Sequence, residues 1–168
     1  MNDLSYLDSI NYKNSIPFIP PVTTGKVVKV YDGDTITLAT KLPYPESPVY
    51  RFQVRLTGID TPEMKSHNES EKQCAQLAKK LVSDLVLDKI IELREVQLEK
   101  YGRLLAKVYC EGVCINDLLC EKHLAVSYDG GTKKCPENWM EYYEKHFALS
   151  CDLDTKMLPS EVDIDEKE

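Results

Sequence analysis

No stretch of the 168 residues approaches the ~20 consecutive apolar residues that a membrane-spanning helix needs. The opening Met1-Asn2-Asp3-Leu4-Ser5-Tyr6-Leu7-Asp8 has neither the basic region nor the apolar core of a secretory signal, so an intracellular location is expected. A CxxC knuckle is missing as well. Cys110, Cys114 and Cys120 are spaced unlike the ligands of structural zinc, and the six cysteines read as reduced thiols packed as small hydrophobes. His67, His123 and His146 lack the mutual spacing of a metal site or a triad and read as surface residues. An excess of positive charge is also lacking: the chain carries a formal −7, the wrong sign for a polyanion-binding surface spread over the whole molecule.

The acidity is unevenly placed. Residues 151–168 hold seven acids against Lys156 and Lys167, and residues 1–24 hold Asp3 and Asp8 against Lys13. Residues 25–150 are therefore within one charge of neutral, and three regions are expected: an arm over 1–24, a domain over 25–150, and an acidic, aperiodic, disordered tail over 151–168. At 42% hydrophobic residues the chain can build one real core.

The arm ends in Ile16-Pro17-Phe18-Ile19-Pro20-Pro21, which continues neither helix nor central strand. Gly25–Tyr31 reads as a strand, Asp32-Gly33 as a turn, and Thr35–Leu38 as the returning strand of a hairpin. After a Pro-rich loop at 42–48, a third strand alternates Tyr50, Phe52, Val54 and Leu56 with Arg51, Gln53 and Arg55. That alternation lifts Arg55 off the core face.

A helix is expected from about Asn68, with Ser70 and Gln73 in capping-box spacing and an apolar face of Cys74, Leu77, Ala78, Leu81, Val82 and Leu85. Strands follow at about 89–96 and 104–110, then a short helix capped by Asn116. A last helix should begin at Pro136, with Trp139, Tyr143 and Phe147 on one face. Three strands, a helix, two strands and short helices suit an α+β chain that is mainly β: a five-stranded Greek-key barrel, or OB-fold, with about three helices.

The chemistry lies in three short stretches: Asp32-Gly33-Asp34-Thr35, Arg55 through Glu63, and Lys100-Tyr101-Gly102-Arg103. Hard carboxylates that hold a divalent cation, beside guanidinium forks that grip phosphate, are what metal-assisted phosphodiester cleavage requires. Taken singly, each has a plainer reading: a hairpin turn, a strand-to-loop exit with solvated acids, and a cation at a strand start.

With Glu99 through Ala106 and Tyr109-Cys110-Glu111-Gly112 leading into Asn116, these stretches resemble the staphylococcal (micrococcal) nuclease, or thermonuclease, family, in family order across roughly residues 25–130. The resemblance implies that Asp34, Asp60 and the Thr61 carbonyl bind Ca2+, and that Glu63 orients or deprotonates the attacking water. It implies that Arg55 and Arg103 hold the scissile phosphate, and that Lys100, Tyr101 and Tyr128 contact a terminal phosphate or neighbouring nucleotide. The activity implied is cleavage of single- or double-stranded DNA and RNA with little sequence choice, leaving 3′-phosphate ends; a monomer with no membrane partner is expected.

The chain departs from the family pattern in a shorter segment after Glu63, a longer loop at 42–48, and an unfamiliar Ser127–Lys134 stretch around Tyr128. The alternative is a non-catalytic nuclease-like OB module that binds nucleic acid or protein. The joint presence of Asp34, Arg55, Asp60, Glu63 and Arg103 sets the two apart.

Overall fold

A computed structural model of the protein describes residues 3–145; the acidic tail, His146 and Phe147 lie outside the described residues. Strands β1 (Thr24–Val30), β2 (Thr35–Lys41) and β3 (Val49–Leu56) form an antiparallel meander. A two-residue β4 (Ile59–Asp60) and helix α1 (Glu69–Val86) follow. Strand β5 (Ile90–Leu98) pairs with β1, and β6 (Leu104–Cys110) pairs antiparallel with β5. Pairing of Val54, Arg55 and Leu56 with Leu104, Leu105 and Ala106, now in parallel, closes the five strands into a barrel. That closure is the expected OB architecture.

The remaining elements are short. Strand β7 (Val113–Cys114) pairs with β6, α2 spans Ile115–Glu121, β8 (Val126–Ser127) pairs with β4, and a helix, α3, begins at residue 139. Among the described residues no helix is long and apolar enough to cross a membrane.

The core follows from the strand alternation. Val27, Ile36, Leu38, Val54, Leu56, Ile91, Leu104, Ala106 and Val108 point inward, with Ala78, Val82 and Val86 of α1 against them. Two bulges let the strands coil far enough to close: one between Val27 and Lys29, the other between Arg94 and Gln97, where Glu95 has φ 56°. Beyond the second bulge β5 runs on to Leu98, just ahead of Glu99 at the mouth of the barrel.

Three local expectations are corrected by competing hydrogen bonds. The N-cap of α1 is Asn68, whose side chain accepts from Glu71 N, in place of a Ser70–Gln73 box. Ser70 Oγ donates instead to Asn138 Oδ1 at 2.6 Å and accepts from Met140 N. Asn138 in turn accepts from Met140 N and Glu141 N, so α3 starts three residues beyond Pro136. Nor is Asn116 a cap: it lies within α2, buried, accepting from Val108 N at 2.9 Å and donating to the Thr57 carbonyl at 2.8 Å. An amide has both a donor and an acceptor, and so can satisfy two strands at once.

Along the arm, residues 3–19 are exposed, including the short 3-10 helix Ser5–Ser9. Val22 is buried, and the Thr23 carbonyl accepts from Leu93 N at 2.7 Å. The end of the arm is thus bonded into the barrel, and Ile16, Pro17 and Ile19 share a groove with Gln97 through Lys100 and Gly102. Among the cysteines, Cys74 and Cys110 are buried, and all five described cysteines are free thiols.

Candidate active site

The β1–β2 turn carries Asp34 into the barrel mouth. Asp34 N bonds to Asp32 Oδ1 at 3.2 Å, and the Asp34 carbonyl accepts from Leu56 N at 2.8 Å, which ties the turn to the end of β3. Gly33 is required by space. A Cβ there would stand 2.8 Å from Ala78 Cβ and 3.0 Å from Thr61 Cγ2, so the turn can lie under α1 and against Thr61 only without a side chain.

Arg55 joins the two acids. Its Nη1 donates to Asp34 Oδ1 at 2.8 Å and its Nη2 to Asp60 Oδ1 at 3.0 Å. Both carboxylates are almost wholly buried, and Thr35 Oγ1 gives Asp34 Oδ1 a further bond at 2.9 Å. Asp60 is held by the β4–β8 pairing, Ile59 to Ser127 and Asp60 to Val126.

Burial raises the Asp34 carboxyl from 3.8 to about 6; the charges of Asp32 and Asp60 push the same way, against Arg55 and the Thr35 hydroxyl. By formal charge, the two carboxylates of Asp34 and Asp60 outnumber the single Arg55 guanidinium between them.

The other predicted residues surround this pair at varied depth. Glu63 is exposed at the rim, and Glu71 Oε1 accepts from its backbone N–H at 3.0 Å. Thr61 is buried beside Gly33. Arg103 is gripped by Glu99 through two parallel bonds, Nε to Oε2 at 2.6 Å and Nη2 to Oε1 at 2.9 Å. Hydrogen bonds to Arg103 hold the Glu99 carboxyl below its ordinary value, and the charge of Arg55 adds to the effect. Arg103 is held above its own by Glu99, with Asp34 and Asp32 contributing. The two forks thus act on one electrostatic neighbourhood, joined by the β3–β6 closure.

Lys100 and Tyr101 form the tip of the β5–β6 turn, closed by Gly102 N to the Glu99 carbonyl and Glu99 N to the Arg103 carbonyl, both 2.8 Å. Gly102 has φ +86°, and the Lys100 ammonium lies 4.9 Å from the centre of the exposed Tyr101 ring. Tyr128 follows β8; its N–H binds the Gly58 carbonyl and its hydroxyl the Gly131 carbonyl at 3.2 Å.

Two contributors had no part in the sequence reading. Glu99 lies within a matched stretch but had no assigned role. Lys133 lies in the unfamiliar segment after β8, and its ammonium contacts Asp60 Oδ1 at 3.1 Å and Glu63 Oε1 at 3.0 Å. Burial alone would lower the Lys133 pKa, but the bonds to Glu63 and Asp60 and their charges outweigh it and raise it. The Gly130-Gly131 pair ahead of Lys133, with φ +92° at Gly130, was the one available sign of a shaped loop.

The donor set fits a hard divalent cation. Among the described residues Asp34 Oδ2 accepts no hydrogen bond, and Asp60 Oδ2 receives only the long 3.8 Å contact from Cys135 Sγ. Two carboxylate oxygens with excess negative charge behind them suit Ca2+, which also takes carbonyls and water. No three His, Cys, Asp or Glu side chains of the described residues gather into a metal cage, so protein side chains would supply only part of the shell.

Comparison with known proteins gives the family. A family model described as staphylococcal nuclease homologue matches residues 53–147, more than half of the chain. The match begins at Gln53, so Asp34 is joined to the matched region through Arg55. An uncharacterized endonuclease of Haemophilus influenzae is 35% identical over 105 residues, covering 62% of this chain and 52% of that protein. One from Escherichia coli O157:H7 is 26% identical over 125 residues, covering 74% and 73%. An uncharacterized protein of Bacillus anthracis is 31% identical over 113 residues, covering 66% of this chain and 49% of its own. The chain thus spans about half the length of the first and third of these relatives.

Proposed function

This chain belongs to the staphylococcal nuclease homologue family, and on that premise we propose that it is a Ca2+-dependent nuclease that hydrolyses DNA and RNA phosphodiester bonds with little sequence choice, leaving 3′-phosphate ends. The observation that carries the reading is the Arg55 fork bridging the buried carboxylates of Asp34 and Asp60. Endonuclease is also the printed description of the Haemophilus and Escherichia relatives.

Asp34, Asp60 and the Thr61 carbonyl would hold Ca2+, which supplies Lewis-acid polarisation of a phosphate oxygen and lowers the pKa of bound water. Arg55 keeps a second N–H on each Nη beyond those given to the carboxylates, and Arg103 keeps both on Nη1. These remaining donors hold phosphate oxygens as charge builds on them, and a planar fork meets two oxygens together where an ammonium meets one. Glu63, on the exposed rim, accepts a proton from the attacking water. Lys100 and Tyr101 at the turn tip, and Tyr128 beside β4, contact a terminal phosphate or the neighbouring nucleotide.

The test is digestion of single-stranded DNA and of RNA with Ca2+ or with EGTA, followed by end-group analysis. Calcium-dependent products bearing 3′-phosphates are expected. Intact substrate in both arms would overturn the proposal, and retained binding without products would favour the non-catalytic module.

A further inference from the structure

We propose that Lys133 is a built-in counter-cation of the metal site, seated between Asp60 and Glu63 in the metal-free protein and displaced when Ca2+ binds. The inference rests on the reading of Asp34 and Asp60 as metal ligands. Asp60 Oδ1 receives two cations, Arg55 Nη2 at 3.0 Å and Lys133 Nζ at 3.1 Å, and the same ammonium reaches Glu63 Oε1 at 3.0 Å. Lys133 therefore links the proposed ligand to the proposed base.

Two buried acids, with Asp32 and Glu63 near them, carry more charge than one guanidinium cancels. A lysine is well suited to a replaceable share of the remainder. Its ammonium makes single-point contacts on a flexible stem, so leaving costs little reorganisation. Arg55, largely buried and forked between two acids, is fixed; the Lys133 side chain is 44% exposed and has an open path to solvent.

The local sequence shapes this reach. Gly131 N bonds to Asp129 Oδ1 at 2.9 Å, and the Tyr128 hydroxyl donates to the Gly131 carbonyl. These bonds fold residues 128–131 into a turn that delivers Lys133 from the end of β8 to the mouth. Beside it, Cys135 Sγ lies 3.8 Å from Asp60 Oδ2.

Competition follows from charge. An ammonium on Asp60 must leave, or share a carboxylate with a divalent ion, so each bound Ca2+ meets the cost of displacing it. Removing the charge should tighten binding, even though it removes a favourable contact from the metal-free protein. Once displaced, Lys133 remains at the rim, able to meet the phosphate chain, and Glu63 is released to accept a proton.

The experiment is isothermal calorimetry of Ca2+ binding to the full chain without nucleic acid. Wild type is compared with Lys133→Met, which keeps most of the stem, and Lys133→Arg, which keeps the charge. Lys133→Met should bind Ca2+ about tenfold more tightly, a modest fraction of the Coulomb energy of a close pair because the site is half open to solvent. Lys133→Arg should stay near wild type. Unchanged or weaker binding by Lys133→Met overturns the counter-cation role, as does absence of Ca2+ binding by any of the three. Tight Ca2+ binding without cleavage would instead overturn the proposed activity and leave Lys133 in its role.

Discussion

Arg55 and Asp34 are fastened twice. The guanidinium donates to Asp34 Oδ1 at 2.8 Å, and the residue after Arg55 donates its backbone N–H to the Asp34 carbonyl, also at 2.8 Å. The backbone bond places the acid, and the side-chain bond holds it where it would otherwise be expelled by its own burial.

Arg55→Ala should therefore leave two buried carboxylates without their shared partner. A loss of about 3 kcal/mol in metal-free stability is expected, because breaking a buried pair from one side exposes its full desolvation cost. Urea unfolding with and without Ca2+ measures it, and added Ca2+ should restore part of the loss. Arg55→Lys should fare little better in cleavage, since a single ammonium cannot span Asp34 and Asp60.

The raised Asp34 carboxyl gives metal-free stability an unusual pH slope. A folded value of about 6 against 3.8 means that the folded state holds the extra proton between roughly pH 4 and 6. The contribution from Asp34 thus grows as pH falls from 7 toward 4, by at most about 2–3 kcal/mol, and is lost as pH rises through 6. Subtracting the profile of Asp34→Asn from that of wild type, both in EGTA, isolates it. A difference that is flat across this window would contradict the assignment.

Glu63→Gln separates chemistry from architecture. Glu63 is exposed and its contacts are with Lys133 and, through its backbone, Glu71, so folding should be unaffected within about 0.5 kcal/mol. Cleavage should fall about 100- to 10,000-fold with loss of the proton acceptor, as read in kcat under saturating Ca2+.

Gly33→Ala tests the packing under the site. The added Cβ would meet Ala78 Cβ at 2.8 Å, closer than real carbon atoms approach, and would crowd Thr61 at 3.0 Å; overpacking of this kind costs about 1–3 kcal/mol. Because one of the two neighbours is Thr61, calcium affinity should fall along with the melting temperature. A surface site of equal cost would lower the second alone.

Asn116→Leu should destabilise by about 2 kcal/mol or more through the backbone groups of Val108 and Thr57 that it leaves unmet. Activity per folded molecule should be retained. Chemical denaturation and active-site titration together check this.

The barrel was legible because its strands alternate cleanly and its turns carry their own residues: Asp32-Gly33 between β1 and β2, Gly102 between β5 and β6. Arg55 stood out because Val54 and Leu56 claim the core on either side of it. The Asn68 cap was displaced in the reading by Ser70, because a capping-box spacing carries no information about Asn138, 68 residues away, which takes the Ser70 hydroxyl. Asn116 was misread for the same reason: the groups it satisfies belong to β6 and to the end of β3, neither visible from a helix start. Lys133 was silent, since one lysine in a polar loop acquires meaning only when folding brings it to Asp60 and Glu63. Local chemistry was readable; long-range pairing of polar groups was not.

The parallel seam between Val54–Leu56 and Leu104–Ala106 carries a consequence for synthesis. The acids and the first fork are all translated by residue 63, yet the second fork and the strand that seals the mouth come some forty residues later. A nascent chain still lacking that strand has the acids but not the closed mouth around them. The segment bearing Arg103 thus emerges only after every acid of the proposed site, and the pocket proposed to hold nucleic acid is completed only when the barrel shuts.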